Sequence, residues 1–141
     1  MKHVLALALL FTLAACSDAP PPRTNGGADD GGAAIASRTV VVGSEGASLA
    51  ACPSVSRVID GGTDVYWAPD ELRAIKAKLP AGARVALCQA TDDDRWFGVV
   101  FPAIGGDIDL CQIGKSVASP REYQGPCRWG WIKGGTVQLG S

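Results

Sequence analysis

Ala83-Arg-Val-Ala-Leu-Cys-Gln-Ala-Thr-Asp-Asp-Asp-Arg-Trp-Phe-Gly-Val-Val-Phe101 holds two apolar, β-favouring runs around Asp92-Asp93-Asp94. In the first run Val85, Leu87 and Gln89 alternate with Arg84, Ala86, Cys88 and Ala90, the period of two expected of a strand. In the second, Trp96, Phe97, Val99, Val100 and Phe101 are aromatic or branched. Aspartates bond readily to nearby backbone N–H groups, so the acidic tripeptide suits a hairpin loop. The chain is therefore read as all-β, with this hairpin at its centre.

Upstream, Ser54–Asp60 reads as a strand broken by Gly61-Gly62, and Thr63–Trp67 as a second strand closed by Ala68-Pro69. Asp70–Leu79 fits two readings. One is a helix capped by Asp70, with Leu72, Ile75 and Leu79 on one face. The other is a helical turn followed by an extended piece from Ala74 to Leu79. Downstream, Pro102–Pro126 is rich in Gly, Pro and Ser and reads as a long loop with an apolar patch at Ile108–Ile113. A loop of that length in a small domain calls for a function or a staple. Arg128–Ile132 resumes as a strand, and Thr136–Leu139 is a last short one after Gly134-Gly135.

The N-terminus carries an address. Val4–Leu13 is an apolar run after Lys2 and His3, with the length of a signal-peptide core and too short to span a bilayer. It ends in Leu13-Ala14-Ala15-Cys16, which resembles the bacterial lipobox, where the cysteine is acylated and becomes the mature N-terminus. Several acyl chains on Cys16 would give a stable membrane anchor. Ser17 rather than Asp follows it, which by analogy with Gram-negative lipoprotein sorting implies an outer-membrane lipoprotein facing the periplasm; the alternative is simple secretion to the periplasm. Ser17–Ala36, with Pro20-Pro21-Pro22 and paired glycines, cannot bury enough surface to order itself and reads as a tether. The expected organisation is a signal peptide over residues 1–15, a lipid-anchored flexible linker over 16–50 and a β domain over 51–141. Arg38–Val42 is a possible short strand, packed on the domain edge or left as an arm.

Charge and composition exclude several classes of function. Without Lys2, 12 basic residues stand against 14 acidic ones, a net charge of −2 with no basic block. Phosphate-driven nucleic-acid binding is not expected of such a chain. The single histidine is His3, inside the leader, so the mature chain has no imidazole for Ser-His-Asp, Cys-His or His–zinc chemistry. Asp92, Asp93, Asp94, Asp107, Asp109 and Glu122 are the carboxylates left for a hydrolase, and they read as turn and loop residues. No phosphate-loop pattern occurs, no cofactor is implied, and the chain is not expected to be an enzyme.

Four further cysteines remain: Cys52, Cys88, Cys111 and Cys127. An even number in an oxidising compartment argues for two disulfides, and no Cys-x-x-Cys pair supports a metal site. Three connectivities are open. Cys111–Cys127 is favoured because it ties the long loop to the strand that ends it, which leaves Cys52–Cys88 to fasten the domain's start to the hairpin.

Leu87-Cys88, Trp96, Gly98-Val99-Val100, Cys111, Tyr123-Gln124-Gly125-Pro126-Cys127 and Gly130-Trp131-Ile132 together resemble the bacterial SH3-like domain (SH3b). The narrower resemblance is to proteobacterial SH3 domain-containing envelope proteins with cysteines at these places. It covers about Val58 to Leu139 and is carried mostly by the C-terminal half. The chain departs from the family at Tyr66, where an arginine is usual. The resemblance implies a small, partly open barrel of about five strands with a long disulfide-tied loop. It also implies a non-catalytic module that binds peptidoglycan or a wall-associated peptide. The alternative is an accessory lipoprotein that docks a periplasmic protein or inhibits an enzyme. Aromatic rings suit sugars and extended peptides. Tyr66, Trp67, Trp96, Tyr123 and Trp129 are the candidate ligand-facing residues; Trp96 reads equally as core, and Trp131 reads as core.

Overall fold

A computed structural model describes residues 37–139. The expected signal peptide, Cys16 and the expected tether up to Ala36 lie outside the described residues.

The chain is all-β, as expected. Nine strands are described: β1 (Val41–Val42), β2 (Ser54–Val58), β3 (Thr63–Tyr66), β4 (Ile75–Leu79), β5 (Arg84–Ala90), β6 (Trp96–Phe101), β7 (Arg121–Glu122), β8 (Arg128–Lys133) and β9 (Val137–Gln138). Seven form one antiparallel sheet in the order β4-β3-β8-β6-β5-β2-β9, and β1 pairs with β7 in a separate ribbon. Neither sheet closes into a barrel.

The β5–β6 hairpin is the middle of the large sheet. Its turn is built as the acidic tripeptide predicts. Asp93 Oδ1 accepts from the Thr91 hydroxyl at 2.6 Å and from the Arg95 N–H at 3.2 Å. These bonds hold the Asp93 carboxyl below its usual range, the Thr91 bond most of all. Asp94 takes the left-handed conformation, φ 52°, that reverses the chain.

Strand alternation divides the hairpin between two cores. Val85, Leu87, Val99 and Phe101 face one cluster with Val58, Val65, Leu79, Ile132 and Val137. All seven strands of the large sheet supply this cluster. A flat sheet of seven strands would be about 29 Å across, so its two edges share a cluster only because the sheet curls. Ala86, Cys88, Trp96, Val100 and Trp131 face the other way. They are covered by Val40, Val42, Ala51 and Cys52 from the N-terminal segment and by Ile108, Cys111, Ile113 and Tyr123 from the long loop.

One expectation is corrected here and one open choice is decided. First, residues 37–50 are not tether. Val40 is 0% exposed and Val42 3%, and Tyr123 N–H donates to Val40 O at 2.9 Å. Their small-residue composition hides this, because two valines and backbone bonds do the docking. Second, of the two readings of Asp70–Leu79, the turn followed by an extended piece is the one that forms. Asp70 Oδ1 accepts from Leu72 N–H at 2.9 Å in a tight turn, and β4 then runs extended against β3. The would-be helical face fails at Leu72, which is 93% exposed. A strand places Leu79 in the curled core.

Both favoured disulfides form, Cys52–Cys88 and Cys111–Cys127, with Cα separations of 4.1 and 5.1 Å. The long loop is held from within as well. It contains a short 3-10 turn at Ile108–Cys111 and then β7, which supplies the pairing partner of β1.

Candidate functional site

The aromatic residues sort by strand register. Trp96, Gly98 and Val100 on β6 lie opposite Lys133, Trp131 and Trp129 on β8, so all three tryptophans share the face covered by the N-terminal segment. Trp131 is wholly buried there, and its indole N–H donates to Arg38 O at 2.7 Å. Trp96 is 7% exposed and meets Tyr66 edge-on, with ring centroids 5.3 Å apart. Tyr123 is also 7% exposed. Its hydroxyl donates to Cys111 O at 2.9 Å and accepts from Cys127 N–H at 3.0 Å, spanning both ends of the disulfide loop. Burial pushes the Tyr123 phenol above its ordinary pKa. Trp96 and Tyr123 thus sit in the core with Trp131, and Tyr123 acts as a brace.

Trp67 and Trp129 remain partly exposed and meet edge-on at 6.0 Å. A register shift between Val65 and Tyr66 ends the regular β3–β4 pairing just before Trp67. Such irregularities re-aim the side chains that follow. Lys76 from β4 fills the angle between the two rings, its ammonium 4.2 Å from the Trp67 centroid and 3.2 Å from that of Trp129. Burial, and then the Arg128 guanidinium, lower the Lys76 pKa to about 8. Arg38 lies over the Trp131 ring at 5.1 Å, and its N–H donates to Trp67 O at 2.9 Å.

The cluster is therefore two tryptophan rings around one ammonium, with the Arg128 guanidinium near enough to act on its charge. Chemically it offers π surface for flat or ring-shaped groups and positive charge for carboxylates. Of the expected site residues, Trp67 and Trp129 come together, Tyr66 and Trp96 pair beneath the same face, and Tyr123 belongs to the loop. Lys76, Arg38 and Arg128 have no signal in the sequence, since nothing in an alternating lysine or an isolated arginine marks which ring it will meet.

Asp107 and Asp109 lie at the start of the 3-10 turn. Asp107 Oδ1 accepts from Asp109 N–H at 3.0 Å, a local cap of the 3-10 turn. Among the described residues no three acidic, histidine or cysteine side chains gather as a metal site. Comparison of the chain with protein-family models, with curated proteins and with solved structures finds no match.

Proposed function

We propose that this chain is a non-catalytic, lipid-anchored SH3-like binding module of the bacterial envelope, held in the outer membrane through Cys16 and facing the periplasm. Its ligand is peptidoglycan or a wall-associated peptide. The observation that carries the reading is the partly exposed Trp67–Trp129 pair with the Lys76 ammonium between its rings. Tryptophan rings stack on sugars and peptide planes, and the ammonium with Arg128 beside it favours the carboxylates of peptide stems. The two disulfides are compatible with an oxidising compartment.

The test is retention on purified sacculi of the chain carrying Cys16→Ser, made in an oxidising compartment. Trp129→Ala and Lys76→Met should lose retention while keeping near-UV circular dichroism. No retention of the parent chain at low salt overturns the reading, and crosslinking in the intact envelope would then seek a protein partner.

A further inference from the structure

A second site lies away from the tryptophans, at the end of the sheet where the β4–β5 turn meets the segment after β6. Arg57 of β2 and Arg84 of β5 are register partners, directly opposite and both exposed. Side chains opposite one another on antiparallel strands share a face, and like charges placed so repel. Neither arginine is ion-paired with a described carboxylate. The one polar contact is Arg57 Nη1 donating to Gly82 O at 3.3 Å.

Arg57 and Arg84 are both among the residues that line a cavity of about 280 Å³. Its other walls are apolar: Leu79, Pro80, Phe101, Pro102 and Ile104. Leu79 and Phe101 are floor residues of the curled core, whereas Ile104 is 80% exposed on the rim. The Pro102–Gly106 segment is held as a turn by Gly106 N–H donating to Ala103 O at 2.8 Å, with Gly105 at φ 78°.

We infer that the Arg57–Arg84 cavity binds the free α-carboxylate end of a peptide with small apolar C-terminal side chains. Two unpaired guanidiniums on one face are a fork for a carboxylate, which they can grip with parallel N–H bonds. An anion between them also removes their mutual repulsion. The apolar wall takes the side chain next to that carboxylate. The volume lies at the lower limit of ligand pockets, about 300 Å³, which suits one or two small residues rather than a folded surface. Charge complementarity selects the occupant, and the inference stands independently of any role for Trp67 and Trp129.

The test uses the Cys16→Ser chain, 15N-labelled, titrated with N-acetyl-alanyl-alanine as the free acid, as its C-terminal amide, and with inorganic phosphate. For a ligand of this size the dissociation constant should be on the order of 1 mM. The free acid should shift the amides of Gly82, Ala83, Gly105 and Gly106, and the amide form should not. Arg57→Gln and Arg84→Gln should each weaken binding about tenfold, with thermal stability unchanged or raised, because each removes one of two repelling charges. Equal response to acid and amide, an equal response to phosphate, shifts elsewhere, or no shift at all overturns the assignment.

Discussion

The indole N–H of Trp131 donates to the backbone carbonyl of Arg38 across 93 positions of sequence, at 2.7 Å. A wholly buried tryptophan needs a partner for its one donor, and the partner comes from the N-terminal segment rather than from the sheet. That bond, with Val40 beneath it, makes residues 37–43 part of the fold.

Val40 and Gly98 form the most direct test of that docking. Both Val40 γ carbons lie 3.1 Å from where a Cβ on Gly98 would stand, with Gln89 Cβ at 3.3 Å. Val40→Ala removes two buried methyl groups and should cost about 2 kcal/mol. Gly98→Ala should cost about 1 kcal/mol by overpacking. In the double variant the second cost should largely vanish, since the methyls that clash are gone. Urea unfolding of the four proteins measures this. Strict additivity would mean that the segment does not pack on β6.

Tyr123→Phe should destabilise the domain by about 1–3 kcal/mol, because it leaves Cys111 O and Cys127 N–H without their partner. Replacing Cys111 and Cys127 by serine should cost roughly 3 kcal/mol for a loop of this length. The two costs act on one loop, so the triple variant should lose less than their total. Denaturant midpoints with unchanged slopes would report it.

Ser56 gives a prediction of opposite sign. It is 3% exposed, points with Val58 into the curled core, and its hydroxyl has no hydrogen-bond partner among the described residues. A buried unsatisfied hydroxyl costs about 1–3 kcal/mol. Ser56→Ala should therefore raise stability, by about 1 kcal/mol after the small loss of strand preference. A fall in the urea midpoint would show that a water or a ligand satisfies the hydroxyl in solution.

The hairpin was legible in the sequence because strict alternation and an acidic turn act within nineteen neighbouring residues. The disulfide pairing was legible too, since Cys111 and Cys127 bracket a loop that needs a tie. What stayed open or was misread depends on contacts distant in sequence. The run from Glu71 to Leu79 carries apolar residues at spacings that serve a helix or a strand, so the sequence left both open, and the pairing with Thr63–Tyr66 decides for the strand. Apart from the possible strand at Arg38–Val42, the segment 37–50 looks like tether by composition, and the face of Trp131 that it covers cannot be seen locally. The candidate site was half legible. Trp67 and Trp129 stand out as aromatic residues on strand ends, but Lys76 enters through a register shift that no residue announces.

Lys76 supplies the prediction that joins stability to the proposed function. Its folded pKa is about 8, below the ordinary 10.5, from burial first and Arg128 second. Between those values the unfolded chain binds more protons, so stability rises as pH climbs from about 8 to 10.5. Lys78 and Lys133 are shifted upward by Asp64 and Glu71, and Tyr123 upward by burial; their stabilisation is complete below the ordinary values of 10.5 and 10.0 and is lost only above them. The interval from about 8 to 10 therefore belongs to Lys76 among the shifted groups. Lys76→Met, which keeps an apolar stem on the rings, should flatten the rise. An NMR titration of the lysine Cε resonances should show one midpoint near 8 that this variant removes. Retention on sacculi should fall over the same interval, because loss of the ammonium removes the charge held between the rings and leaves only Arg128 beside them for a carboxylate. If retention stays constant while the Lys76 resonance titrates, the rings alone hold the ligand and the cation serves only to wedge them apart.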